Sequence, residues 1–187
     1  MARLARLLVP LALCVVALVA AGCGNTRSDV RTLGDSEGIY VDVGPLTYQV
    51  QISRYLNPAD VEDSSYFKGV SAADRKLAGD QVWFGVFMRV QNYTDQTHMT
   101  ASDFTISDTQ HNVYRPVSID TAQNGFAYKP QPLGASAILP NPESLDAQGP
   151  IGGALLLYKL NVDSIQNRPL EMAIEQAGKK AIIDLDV

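Results

Sequence analysis

Several small groups of residues in this chain have types and spacings that could support chemistry. Residues 34–38, "GDSEG", match the G-x-S-x-G pattern in which a serine rides a sharp strand-to-helix turn and acts as a nucleophile. Ser36 lacks that setting. A polar stretch precedes it, a strand pattern follows it, and neither His98 nor His111 stands in a triad context. His98, Met99 and His111 offer two imidazoles and a thioether, a donor set that suits copper. Their surroundings, "TDQTHMTASD", also read as a solvent-facing loop. Asp60, Glu62 and Asp63 are oxygen donors, but the EF-hand spacing fails, with no glycine at the sixth place and no glutamate at the twelfth. Asn92-Tyr93-Thr94 fits a glycosylation sequon and reads better as a turn; Asp184 and Asp186, on one face of a strand, read as a solvated sheet face rather than an acid–base pair.

For contact rather than catalysis the sequence singles out residues 124–132, "NGFAYKPQP". Phe126 and Tyr128 stand there on a proline-stiffened loop, and such aromatic groups lead at binding hot spots. The same rings have a competing use as cover for two other aromatic residues, Trp83 and Phe87.

The two cysteines have a different role. Arg3 and Arg6 precede an apolar run of about 15 residues, Leu7 to Ala21, the length of a signal-peptide core and short of the roughly 18 needed to span a bilayer. Ala20, Ala21 and Gly22 then lead to Cys23, an order that resembles the bacterial lipobox, with alanine where leucine is favoured three places before the cysteine. The resemblance implies a diacylglyceryl thioether on Cys23 and cleavage before it; two acyl chains hold a membrane stably where one does so marginally. Cys14 falls in the discarded segment, so the mature body is expected to have no disulfide, no thiolate chemistry, no cysteine metal site and no cofactor. About 165 residues remain, enough for one domain with its own core. The net charge of −5 becomes about −7 once the two arginines are removed, which argues against nucleic acid as a partner and leaves anchoring to lipid rather than to a basic patch.

The elements that must position these groups are strands. Residues 25–38 are polar and aperiodic and read as a tether. "IYVDV" is a short strand, and Leu46, Tyr48, Val50 and Ile52 alternate with polar residues along the next. In "QVWFGVFMRVQNYTD", Val82, Phe84, Val86, Met88 and Val90 share one face, whereas Trp83 and Phe87 stand on the other and need cover from a loop or a partner. "DFTISD" and "NVYRPV" follow as short strands, residues 118–150 form an unusually long connection, and "IGGALLLYKL", "PLEMAIE" and "KAIIDLDV" close the chain, with Gly178 and Lys179 at the last hairpin turn. No helical period persists over ten residues in the mature part. The expected organisation is a signal peptide over 1–22, a lipidated tether over 23–38 and, over 39–187, an all-β, immunoglobulin-like antiparallel sandwich of about seven to nine strands.

"VWFGVFMRVQN", "DFTISDTQHNVYRP", "GPIGGALLLYKL" and "LEMAIEQAGKKAIIDLDV" together resemble the immunoglobulin-like domain of unknown function (DUF4352 type) found in bacterial lipoproteins. The resemblance implies a sandwich fold and an envelope location and supplies no catalytic residue. The expected role is therefore a lipid-anchored, extracytoplasmic binding module with an envelope protein partner and no catalytic activity; the alternative is a carrier of copper or another small ligand.

Overall fold

Alternation along residues 81–92 produces the longest strand and the border between two apolar clusters. The computed structural model describes residues 29–149 and 151–186; the signal segment, Cys23 and the first part of the tether lie outside the described residues. In chain order the strands are β1 (Leu33–Gly34), β2 (Tyr40–Val43), β3 (Leu46–Leu56), β4 (Gln81–Asn92), β5 (His98–Met99), β6 (Asp103–Ser107), β7 (Val113–Tyr114), β8 (Pro132–Leu133), β9 (Ile138–Leu139), β10 (Ala154–Asn161), β11 (Leu170–Gln176) and β12 (Lys179–Leu185). Seven of them have four or more residues, within the expected range; helix is confined to three 3-10 turns among the described residues. No helix among those residues is long and apolar enough to cross a membrane.

The strands form a sandwich of two sheets, ordered β1-β12-β11-β6-β7 and β10-β4-β3-β2, with β9 continuing the β4 edge beyond β10. The inner faces supply one core: Val41 and Val43, Leu46, Tyr48 and Val50, Phe84 to Val90 at alternate positions, Phe104 and Ile106, then Met172, Ile174, Ile183 and their neighbours. A second core lies on the outer face of β10-β4-β3. There Trp83, Phe87, Leu56, Leu155 and Leu157 are covered by Tyr66, Phe67 and Val70, with Val117, Ile119 and Phe126 packed alongside. Burying Trp83 and Phe87 stabilises the fold by roughly 1.5–3 kcal/mol each.

β3 departs from the expected alternation. Leu46, Tyr48 and Val50 face the inner core, but the register shifts between Val50 and Ile52, which leaves Gln51 as an extra residue. Ile52, expected inside, is instead 38% exposed and stands opposite Phe87 on the outer face, whereas Ser53 and Tyr55 take the inner positions opposite Val86 and Phe84. The physical reason is Arg54. Uninterrupted parity would turn it into the sandwich; the bulge turns it out, where its guanidinium pairs with the buried carboxylate of Asp63.

The tether also needs correction, since the compact unit begins at Arg31 rather than Ile39. β1 pairs in parallel with β12, Leu33 opposite Ile182 and Gly34 opposite Ile183. Asp42 N–H donates to Arg31 O at 2.6 Å and Ile182 N–H to Thr32 O at 2.9 Å. Glu37 accepts from Ser53 N–H at 3.0 Å, from Ser53 Oγ–H, and from Asp186 N–H at 3.2 Å, while its own N–H donates to the Asp186 carboxylate. Polar groups bind this segment to the sheets, so its lack of hydrophobic period concealed its place in the fold. At the last hairpin the turn residues are Ala177 and Gly178, both at positive φ, and Lys179 already belongs to β12.

Candidate ligand cleft at the open seam of the sandwich

The two sheets are closed differently along their two margins. On one side β1 and β2 stitch them together, with β2 packed against β12. On the other side β7 and β10 share no ladder among the described residues. Two loop straps reach the β10 edge instead. Val117 N–H donates to Leu157 O at 2.7 Å; further along, Leu155 N–H donates to Phe126 O at 2.6 Å and Tyr128 N–H to Leu155 O at 2.8 Å. Between these straps opens a cleft of about 480 Å³, within the range of small-molecule sites. A hollow of similar size, about 490 Å³, is lined within residues 131–142 alone, by the short strands β8 and β9 and the turns beside them.

Strand geometry sets the floor. Successive β10 residues direct their backbone groups to opposite sides, so Leu155 and Leu157 address the seam while Leu156 addresses β4. The Leu157 N–H, between the two straps, has no acceptor among the described residues, although Leu157 is fully buried and lines the cleft. A buried donor in that position favours an acceptor brought from outside. Val117, Ile119 and Leu156 give the wall its apolar part, and Ser102, Ser118 and Thr121 add hydroxyls.

Arg115 and Lys129 supply positive charge. Arg115 Nη1 donates to Asp103 Oδ1 at 2.8 Å, but the two side chains are 67% and 50% exposed, so water screens the pair and it is worth about 0–1 kcal/mol. The remaining guanidinium N–H groups and the Lys129 ammonium make no hydrogen bond to another described residue.

Tyr128 forms a rigid wall. Its ring meets Phe104 edge-on at 4.9 Å and its hydroxyl donates to Ala101 O at 2.9 Å, while Tyr48 Oη accepts from Ala101 N–H at 2.7 Å. Burial pushes both phenols up, Tyr48 to about 12 and Tyr128 further, where the nearby Tyr48 adds to the effect. The chain between the two straps is fixed by Asn124, whose Nδ2 donates to Tyr66 O and Lys68 O, both at 2.9 Å, and by Asp120 N–H donating to Gly69 O at 3.0 Å. Gly69 sits at φ +74° with Asp120 O 2.5 Å from where a Cβ would stand, so no other residue allows that approach.

The aromatic residues singled out as contact candidates serve mainly as cover. Trp83 and Phe87 are buried, Phe87 under Tyr66 at 5.0 Å and Trp83 under Phe67 at 5.2 Å between ring centroids. Phe126 is half-buried against Tyr66 at 5.3 Å. Their loop nevertheless forms one side of the cleft through Ala127, Tyr128, Lys129 and Pro130. Arg115, Asp103 and the β10 floor were not singled out from sequence, because four separate stretches meet here and no local pattern links them.

The copper donors are not gathered. His98 and Met99 are successive residues of β5 and so point to opposite faces, His98 toward Thr94 Oγ1 at 2.9 Å and Met99 into solvent. His111 is in the turn between β6 and β7, at φ +63°. Among the described residues no group of three or more His, Cys, Asp or Glu side chains is placed to hold a metal ion. Ser36 Oγ–H donates to the neighbouring Glu37 O at 3.2 Å, Asp60 accepts from Glu62 N–H at 2.8 Å, Asp63 also accepts from Asn57 N–H at 2.8 Å, and Asp186 binds Glu37 N–H. Neither histidine lines the cleft, so its hydroxyls have no imidazole beside them. This arrangement suits binding: fixed donors, two cations and an apolar wall.

No family model matches the chain, and no curated protein matches it. Four solved chains do. The yjhA protein of Bacillus subtilis is 10% identical with a TM-score of 0.46, over 81% of this chain and 99% of that one. A candidate lipoprotein of the same organism, ycdA, is 11% identical with a TM-score of 0.47, over 84% of this chain and 39% of its own length. A β-sandwich protein of Clostridium difficile is 7% identical with a TM-score of 0.42, over 86% of this chain and 99% of that one.

Proposed function

We propose that this chain is a lipid-anchored, non-enzymatic binding module of the bacterial cell envelope, which takes its ligand in the cleft between β7 and β10. The observation that carries the reading is the seam itself: the sandwich is stitched along one margin and held by two spaced straps along the other, with a 480 Å³ cleft between the straps. Anchoring rests on the order of charge, apolar run, small residues and Cys23 at the N-terminus. A module confined to a surface meets other envelope components at raised effective concentration, so the modest contacts of an open cleft suffice.

Two measurements test the two parts. In cells grown with a labelled fatty acid, the wild-type chain incorporates label and Cys23→Ser does not; label retained in the variant overturns the anchoring. A photo-crosslinking residue at Thr121, on the cleft, gives a discrete adduct in intact cells, whereas one at Glu171, on the outer face of β11, does not. Equal adducts from both positions, or none from Thr121, remove the cleft from the account.

A further inference from the structure

We infer that the ligand of this cleft bears an anionic group, a carboxylate or a phosphate, seated between Arg115 and Lys129 beside an apolar body. The inference rests on the cleft being a binding site and adds the chemistry of what it takes. The chain as a whole is acidic, with 20 acidic against 15 basic residues, yet the charged residues lining the cleft are two cations and one carboxylate. The single carboxylate, Asp103, engages only Nη1 of Arg115, so the outer edge of the guanidinium remains to form charge-assisted bonds. Lys129 lines the cleft from the other strap and is exposed. The Leu157 N–H is a third donor and can only meet an acceptor. Ser118 and Thr121 can complete an anion's lone pairs, and Val117, Ile119 and Leu156 provide apolar contact for whatever carries the charge. A cationic ligand would meet two like charges here and leave the Leu157 donor without an acceptor, and a wholly apolar one would cover the donors without bonding them, each at a desolvation cost.

The test uses the full-length chain in detergent micelles and four probes that share a phenyl ring, benzoate, phenyl phosphate, benzyl alcohol and benzylammonium, with binding followed by calorimetry. Both anions bind more tightly than the alcohol, and benzylammonium is the weakest. Lys129→Gln and Arg115→Gln each weaken the anions about tenfold or more, the scale of one charge-assisted bond, and leave the alcohol unchanged. Lys129→Arg and Arg115→Lys keep the charge and restore most of the affinity, which separates lost charge from a damaged fold. Benzoate above phenyl phosphate assigns a carboxylate ligand, and the reverse order a phosphate. If the alcohol matches the anions and Thr121→Trp abolishes its binding, the cleft is a site but the anionic assignment is wrong. If no probe binds and the Thr121 crosslinker finds no adduct, both readings fail.

Discussion

Asn92 is a fully buried polar side chain at the end of β4, and its replacement is the sharpest test of how the loops are held to the sandwich. Its Nδ2 donates to Gln96 O at 2.7 Å, Gly134 O at 2.8 Å and Leu133 O at 3.0 Å; its Oδ1 accepts from Thr94 N–H at 2.9 Å and Thr94 Oγ–H at 2.8 Å. Three carbonyls on one side and an amide on the other leave only one orientation for the side chain. Asn92→Ala removes one of the bonds to each of Leu133 O, which also pairs with His98 across the β5–β8 ladder, and Gly134 O, which also accepts from Ala137 N–H, and takes the acceptor from Thr94 N–H, for a total of about 1–3 kcal/mol. With an m-value of about 2 kcal/mol/M, the urea midpoint falls by roughly 0.5–1.5 M at unchanged slope. Asn92→Asp is the more telling change, because it aims a carboxylate at the same three carbonyls. Burial and those carbonyls raise the folded-state pKa of the new carboxyl above the unfolded value of about 3.9. The added penalty is therefore absent below about pH 4 and grows as pH rises through the folded-state value. Urea unfolding at pH 4.5 and 7.5, each referred to wild type at the same pH, reads this directly. A loss under about 0.5 kcal/mol for Asn92→Ala, or a pH-independent loss for Asn92→Asp, would refute the reasoning.

Two further outcomes follow from the geometry. Tyr48, raised to about 12 by burial, and Tyr128 and Tyr158, raised further, stay protonated in the folded state after unfolded phenols ionise near pH 10, so their contribution is intact below pH 10 and is lost as pH climbs through about 12; absorbance titration at 295 nm should show these tyrosines ionising only as the chain unfolds, and the double change Tyr48→Phe, Tyr128→Phe should shrink that late phase by two tyrosines and leave the part due to Tyr158. Glu37→Ala deletes the acceptor for Ser53 and Asp186 and should cost about 1–3 kcal/mol, with hydrogen exchange accelerated at residues 33–38 and 182–186 and unchanged along β4.

Legibility from sequence followed hydrophobic pattern closely. β4, β11 and β12 are strands because Val82 to Val90, Leu170 to Ile174 and Ala181 to Leu185 alternate, and each falls where that period requires. The apolar second face of β4 correctly implied a cover, supplied by Tyr66, Phe67 and Phe126. What escaped was held by polar groups. The segment 31–38 looks like linker because its bonds to Val50, Ser53 and Asp186 come from backbone and Glu37. The cleft was half legible: the aromatic loop marked one wall, whereas Arg115 and Leu157 acquire their meaning only when β7 and β10 come to lie on the same side of the sandwich.

The extra residue at Gln51 has a consequence for which changes in length the gene tolerates. Removing one residue there would restore simple parity, swing the Arg54 guanidinium into the dry interior and eject Tyr55, while any ordinary substitution at the same position alters neither. Adding two residues would preserve the phase that adding one destroys. Among descendants of this sequence, insertions and deletions at that point should therefore come in even numbers, however freely the side chain itself drifts.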